Sequence, residues 1–182
     1  MRESYYGKEA RFGMRKGVNK LFKAVAPTLG PKGLNAVIGR ASGTPIISND
    51  GVFIAQQVES EAPLVNLGIS LVRQVAEKTN DDSGDGTTTS TVLAQALIKA
   101  GFKYVENGIN AVGLRRAMEE AKDLIIKVLK IHSKAVKTHE EIVQVATISA
   151  ESKEYGELIA GIIKEIGRDG IITVEQSQGN TV

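Results

Sequence analysis

The chain carries, directly before a helical pattern, the stretch Gly84-Asp85-Gly86-Thr87-Thr88-Thr89. After it, apolar residues recur at helical spacing, at Val92, Leu93, Ala96 and Leu97. The free N–H groups and the positive dipole end of that helix would therefore face the stretch. Glycine allows a ligand to approach the backbone closely, and threonine hydroxyls bond phosphate oxygens, so this loop is typical of a phosphate site.

Asp85 is the one carboxylate within this loop. Among groups that bind phosphate, a carboxylate makes chemical sense as a ligand for a hard cation such as Mg²⁺. A ligand-free interpretation fits the same residues, because Asp85 or Thr87 would cap the helix while the glycines form a turn. The six residues leave both interpretations open.

The composition indicates a soluble globular protein. Of 182 residues, 42% are hydrophobic and 24% are charged, and there is no cysteine. A chain without cysteine has no disulfides and suits a reducing compartment. The N-terminus lacks the apolar core of a signal peptide, and no apolar run is long enough to span a bilayer. We therefore expect a cytoplasmic protein without a membrane partner.

The net charge of +2 conceals an asymmetry along the chain. Residues 1–40 carry nine Lys or Arg against two Glu, whereas residues 50–90 carry seven Asp or Glu against two basic residues. The basic part lacks the interleaved aromatic residues that stack on bases, so no nucleic-acid partner is expected. A solvated helix face or one side of a subunit contact is the favoured interpretation.

Periodicity and turn signals predict a mainly helical chain with one small hairpin. Helices are predicted over residues 9–26, 64–82, 88–107 and 111–133, and a hairpin over residues 35–40 and 45–48. The helix at 111–133 has an apolar face suited to burial, formed by Leu114, Ala117, Ala121, Ile125, Val128 and Ile131. In the chain by itself, we expect this helix and those at 64–82 and 88–107 to expose apolar faces.

The C-terminal part begins with a predicted capping box, Thr138 with Glu141 three residues later. It opens a short helix through about Ile148, and a further helix ends at Gly167. Asp169-Gly170 then leads into a predicted strand at residues 171–174 that has no evident partner in the chain. Residues 134–138 are the predicted domain boundary.

Two further loops resemble the first one in chemistry. Thr28-Leu29-Gly30-Pro31-Lys32-Gly33 is a tight loop whose amides would surround a phosphate, although it is not a Walker A sequence. Asn49-Asp50-Gly51 repeats the acidic-glycine corner of residues 85–86 at the start of another apolar segment. The two corners would converge on one metal–phosphate centre, or they are independent turns, and spacing alone does not decide.

With these residues, the chain resembles the group I chaperonins, the GroEL family. The resemblance covers essentially the whole chain and rests on stretches that recur in order: Ala10-Arg11 with Met14, Gly17-Val18, Leu21, Ala24-Val25, Thr28 to Gly33 with Asn35, Asn49 to Val52, Asn80-Asp81, Gly84 to Thr89, Thr91 to Ala96, and Gly170 to Glu175.

The resemblance implies a mainly α fold, namely the equatorial helical bundle with its small β-hairpin, followed by the start of an α+β intermediate domain. Residues 1–134 would be the N-terminal part of the equatorial ATP-binding domain, and residues 135–182 the ascending segment of the intermediate domain. The apical domain and the C-terminal half of the equatorial domain would lie beyond residue 182.

The resemblance also implies a site for ATP and Mg²⁺, with K⁺ as a further candidate cation. Asp50 would be the catalytic residue, near the γ-phosphate and the attacking water, and Asp85 would bind Mg²⁺. The remaining nucleotide contacts would come from Thr28, Leu29, Gly30, Pro31, Asn49, Gly86, Thr87, Thr88 and Thr89. Two positions depart from the usual pattern, since Leu34 replaces a residue that is usually basic and Asn49 stands where some members have lysine.

The implied function is that of an ATP-hydrolysing folding chaperone subunit. In the family such subunits form homo-oligomers of stacked heptameric rings, with a co-chaperonin and unfolded polypeptides as partners. We expect the chain by itself to bind nucleotide weakly and to show almost no steady-state hydrolysis. The alternative is a non-catalytic interaction or assembly module that keeps the fold without turnover.

Overall fold

The computed structural model describes residues 4–40, 42–167 and 170–174. The chain divides into two compact units, residues 1–122 and 123–182. This division lies earlier than the boundary predicted at residues 134–138, and the assignment of residues 1–134 and 135–182 to two domains of the family stays a prediction.

The first unit is helical, with one small sheet, as the sequence predicts. Its helices are α1 (Gly7–Val25), α2 (Gly51–Gln57), α3 (Pro63–Ser83) and α4 (Thr87–Glu106), with a short 3-10 helix (Ala26–Thr28) after α1. Strands β1 (Ala36–Ile38) and β2 (Ile46–Ser48) form an antiparallel hairpin in which Val37 lies opposite Ile47. Helix α5 (Ala111–His132) begins in this unit, and the division between units falls within it.

Helices α1 and α3 pack closely because glycines lie at their crossing. A Cβ on Gly17 would lie 1.9 Å from the carbonyl oxygen of Val65, and one on Gly68 would lie 2.2 Å from that of Met14. Only residues without a side chain permit backbones to approach this closely. The core of the unit lies beside this crossing and consists of Val18, Leu21, Val25, Ile54, Ala55, Ile69, Val72 and Ala76.

Two glycines reverse the chain between α3 and α4. Gly84 ends α3 in the left-handed conformation (φ 69°), and its N–H donates to the carbonyl of Asn80 at 2.7 Å. Gly86 is also left-handed (φ 81°) and lies at the N-cap of α4. Since left-handed backbone disfavours other residues, these glycines bring the N-terminus of α4 directly after the C-terminus of α3.

The apolar face of α5 is exposed, as expected for the chain by itself, and the burial expected for this face is not seen within the described residues. Of its six residues only Leu114 is partly buried, while Ile125, Val128 and Ile131 are 58%, 46% and 80% exposed, and Ala117 and Ala121 are exposed as well. Periodicity identifies an apolar face but not the surface that covers it. No helix of the described residues is both long and apolar enough to cross a membrane.

The second unit contains α6 (His139–Ala150) and α7 (Lys153–Ile166), which pack against each other. The capping box is confirmed: the N–H of Glu141 donates to the Thr138 hydroxyl at 3.2 Å, and the Glu141 carboxylate accepts from the N–H of Thr138 at 3.1 Å. Gly156 in α7 lies against α6, since a Cβ there would be 2.2 Å from the Thr147 hydroxyl.

The predicted strand at residues 171–174 is absent from the structure. These residues form no strand pairing, and Ile171 and Val174 are 90% and 88% exposed. A strand needs a neighbouring backbone for its hydrogen bonds, and the described residues supply none here. Asp169 and Glu175, on either side, lie outside the described residues.

The second unit should lose stability in acid through Glu141. The Nζ of Lys134 and the N–H groups of Lys137 and Thr138 lower the pKa of Glu141 from 4.5 to about 2. A depressed carboxyl pKa contributes stability above the unfolded-state value that disappears as pH falls through the folded-state value. We therefore expect the stability of this unit to decline between about pH 4.5 and about pH 2.

Glu141→Gln should remove most of that decline, because glutamine at this position also completes a capping box but does not titrate. Denaturant unfolding followed across this pH range, for both proteins, tests the expectation. An unchanged decline in the variant would mean that other carboxylates, such as Glu140, whose pKa is also lowered, carry the effect.

Candidate functional site

Thr28 and Thr88 lie side by side although 60 residues separate them. Their hydroxyl oxygens are 3.3 Å apart. Thr28 ends the 3-10 helix and donates its hydroxyl proton to the carbonyl of Val25 at 2.9 Å, so Thr88 is the donor in the contact between them. The structure therefore brings the first glycine-proline loop and the threonine loop together.

The Asp50-Gly51 corner lies at the same place. A Cβ on Gly51 would be 2.3 Å from the Thr88 hydroxyl and 2.9 Å from that of Thr87. Gly51 is buried and begins α2, which contacts α4. The fold thus places Gly51 against the threonine loop, while convergence of the two acidic-glycine corners on one metal–phosphate centre stays a prediction.

The N-terminus of α4 presents backbone donors. Its N-cap is Gly86, which has no side chain to accept a hydrogen bond. The N–H groups of Thr87, Thr88 and Thr89 have no acceptor within the described part of the chain. Neither Asp85 nor Thr87 is the N-cap, so the ligand-free interpretation in which one of them caps α4 is wrong. These donors, with the positive end of the helix dipole, suit an anion.

Asp85 is exposed directly before this helix end. One carboxylate oxygen accepts from the N–H of Gly86 at 2.6 Å, and the side chain has no other hydrogen bond within the described residues. The same residues include no group of three acidic, histidine or cysteine side chains that would by itself hold a metal. Mg²⁺ is usually held by one or two carboxylates together with phosphates and waters, so the single Asp85 fits that ion with a nucleotide.

Asp50 is the N-cap of α2. Its Oδ1 accepts from the N–H of Val52 at 3.0 Å, and its own N–H donates to the Ser48 hydroxyl at 3.1 Å. The second carboxylate oxygen has no hydrogen bond from a described residue. Asp50 thus has a structural role in addition to the predicted catalytic one, and Asn49 beside it is exposed.

The first loop is a tight turn with an accessible outer side. The N–H of Gly33 donates to the carbonyl of Gly30 at 2.8 Å, and Gly30 is left-handed at φ 79°. Leu29 is 45% exposed, and Gly30 and Pro31 are exposed as well. The loop is therefore free to contact a ligand held at the adjoining threonine loop.

Sequence reasoning missed the part that Gly51 has in the site. The sequence indicates that Gly51 is a turn residue. The structure shows that the absence of a side chain at Gly51 also permits α2 to approach two threonine hydroxyls. The signal was present in the repeated Asp-Gly sequence, but a contact between residues 51 and 88 requires the tertiary fold.

Comparison with known proteins identifies a matching family and similar solved structures. The family model described as the TCP-1/cpn60 chaperonin family matches residues 21–172. A crystal structure of a group III chaperonin in the open state is similar with a TM-score of 0.66 and 29% identity, and the match covers 87% of this chain and 31% of that one.

The chain thus spans about a third of the length of the solved relative. Membership of group I rather than group III stays a prediction. Because the family model covers most of the chain and the helical fold agrees with it, the chain belongs to the TCP-1/cpn60 chaperonin family.

Proposed function

We propose that the chain binds Mg-ATP and forms part of the nucleotide-binding region of a chaperonin subunit whose ATP hydrolysis drives protein folding. The observation that carries the proposal is the convergence of Thr28, Gly51 and Thr88 at the N-terminus of α4. Three segments far apart in sequence meet beside the N–H groups of Thr87, Thr88 and Thr89, which have no acceptor among the described residues and are available to an anion. Membership of the chaperonin family supports adenine nucleotide as that anion.

Each residue has a chemical task in this proposal. The N–H groups and hydroxyls of Thr87, Thr88 and Thr89 hold phosphate oxygens, and the first loop contacts the rest of the nucleotide. Asp85 holds Mg²⁺, which would neutralise charge on the phosphates. Asp50 orients the attacking water through its unbonded carboxylate oxygen. Phosphoryl transfer needs positioning and charge stabilisation more than covalent chemistry, and these groups supply both.

The partners of the complete subunit belong to the same proposal. The family supports assembly into rings, and stacked heptamers with a co-chaperonin and unfolded polypeptides are the specific form we propose. K⁺ would be a second cation at the phosphates. A cytoplasmic location is proposed because a chain without cysteine suits a reducing compartment.

Calorimetric titration of this chain with Mg-ATP tests the proposal, with ATP plus a chelator and with inorganic phosphate as comparisons. We expect binding that requires Mg²⁺ and that is stronger for ATP than for phosphate. Equal heats with and without Mg²⁺ would contradict the metal assignment, and an absence of binding at the solubility limit of the chain would contradict the proposed function.

A non-catalytic assembly module is the second candidate function. The exposed apolar face of α5, including Ile125 and Val128, favours it, because apolar surfaces of this kind usually meet a partner. Phosphate release separates the two candidates. A full-length subunit carrying this sequence that binds Mg-ATP and assembles without releasing phosphate would be a module of this second kind.

Asp50→Asn separates the catalytic role of Asp50 from its capping role. Asparagine caps helices as well as aspartate does, so the melting temperature and the Mg-ATP affinity of the chain should be nearly unchanged. Turnover, measured in a full-length subunit carrying this sequence, should fall by about a hundredfold because a group acting in the transition state is lost. A parallel loss of affinity and turnover would place Asp50 in ground-state binding instead.

A further inference from the structure

A basic groove runs between α1 and α4, within the first unit. It consists of two adjoining cavities of about 640 and 600 Å³ that share Arg15 and Glu106. Six basic side chains line it, from both helices: Lys8, Arg11, Arg15, Lys23, Lys99 and Lys103. The acidic residues in its lining are Glu9 and Glu106, so the net charge of the lining side chains is +4. The nucleotide-site residues do not line this groove.

Most of this positive charge is not neutralised by the protein. Within the described part of the chain, Arg15 is the one member of the six with an ion pair, to Glu106 at 3.4 Å. The Nε of Arg11 is buried and has no hydrogen-bond partner among the described residues. Arg11 lines the groove, so the positive charge of its guanidinium group adds to that of the neighbouring lysines.

Apolar and amide side chains line the groove together with the basic ones. Phe12, Phe22 and Val105 line it, and the side-chain amide of Gln95 donates to Asn19 at 2.9 Å to join the two helices. Lys8 and Lys23 are 15 residues apart on α1, which at the rise of a helix corresponds to about 22 Å. This length suits about seven residues of extended peptide and is far longer than one phosphate or carboxylate.

We propose that the α1–α4 groove binds an acidic peptide segment of another protein, with its carboxylates against the basic side chains and its apolar side chains against Phe12, Phe22 and Val105. Charge complementarity determines the class of partner, because five unpaired cations favour carboxylates. A nucleic acid is disfavoured, since Lys16 lies 4.4 Å from the ring centre of Phe12 and covers one face that a base would need. The proposal does not depend on nucleotide binding.

Fluorescence anisotropy with a labelled peptide of about seven residues, mixing glutamate with leucine, tests the proposal. The peptide should bind at low salt and weaken by about tenfold or more between about 50 mM and about 500 mM NaCl, since exposed charges are screened over shorter distances at high salt. The double variant Lys99→Glu/Lys103→Glu should bind about tenfold more weakly or worse.

The matched control is Lys127→Glu/Lys130→Glu on α5. It changes the net charge by the same amount as the groove variant, and in both variants one of the two lysines lies in the last turn of its helix. It should bind as the unaltered chain does. Arg11→Lys keeps the charge but removes the planar guanidinium group, which binds a carboxylate through two N–H donors. This variant should bind the peptide severalfold more weakly. Thermal melting by circular dichroism confirms that each variant is folded before its affinity is compared.

Three results would overturn the proposal. The first is a failure of the peptide to discriminate the groove: either it does not bind the unaltered chain at low salt, or it binds the groove variant and the control with equal affinity. The second is a single-stranded oligonucleotide or a polyphosphate that binds as tightly as the peptide. The third is salt-sensitive self-association, seen by sedimentation, that the groove variant alone abolishes, because the occupant would then be a second copy of the chain.

Discussion

Gly17→Val should destabilise the first unit by about 3 kcal/mol and lower its melting temperature by about 10 °C or more. The Cβ alone would lie 1.9 Å from the carbonyl oxygen of Val65 and 2.8 Å from the N–H nitrogen of Ile69. Both contacts are with the backbone of α3, which cannot rotate away as a flexible side chain would. Relief therefore requires α1 and α3 to move apart, and that separation opens the adjoining core.

The matched control for this substitution is Gly101→Ala in α4. A Cβ at Gly101 would meet nothing closer than Leu114 at 3.9 Å, and its backbone is ordinary helix. Alanine should therefore stabilise the unit by about 0.5–1 kcal/mol, because glycine loses more chain entropy in a helix. Chemical denaturation of both variants tests the pair. Equal stability of Gly17→Val and the unaltered chain would mean that the α1–α3 crossing is not as close as described.

Asp85→Ala should reduce Mg-ATP affinity by about a hundredfold while leaving the melting temperature within a few degrees. Asp85 is exposed and its one hydrogen bond among described residues is to the N–H of Gly86, so little packing is lost. The substitution removes the carboxylate that is proposed to bind Mg²⁺ at this loop. Affinity for ATP in the presence of chelator should change little, or rise, because a negative charge near the phosphates is gone.

Asp82→Ala is the control for the change in charge. Asp82 lies three residues before Asp85, and its carboxylate pairs with Lys78 at 3.1 Å in an exposed contact of small energetic value. Its removal should leave Mg-ATP affinity within about twofold. If Asp85→Ala melts much earlier than Asp82→Ala yet binds Mg-ATP normally, Asp85 has a structural role and the proposed metal site is wrong.

Local sequence was sufficient for most of the secondary structure. The ends of α3 and α4, the hairpin and the capping box at Thr138 depend on signals within a few residues, such as a glycine with positive φ or a hydroxyl three residues before a glutamate. These signals act through hydrogen bonds between residues that are close together in sequence. Local sequence was likewise sufficient to predict a phosphate site, because the glycines, threonines and aspartates of the three loops are recognised without knowledge of the fold.

Tertiary structure decided which of these segments meet and which surfaces stay exposed. The approach of Gly51 and Thr28 to Thr88 depends on how α1, α2 and α4 pack, and no spacing along the chain encodes it. Likewise, the apolar face of α5 and the strand at residues 171–174 were recognised from their patterns, yet burial and pairing need a neighbour that the described residues lack. Periodicity reports what a segment is able to bury, and only the folded chain supplies the surface against which it does so.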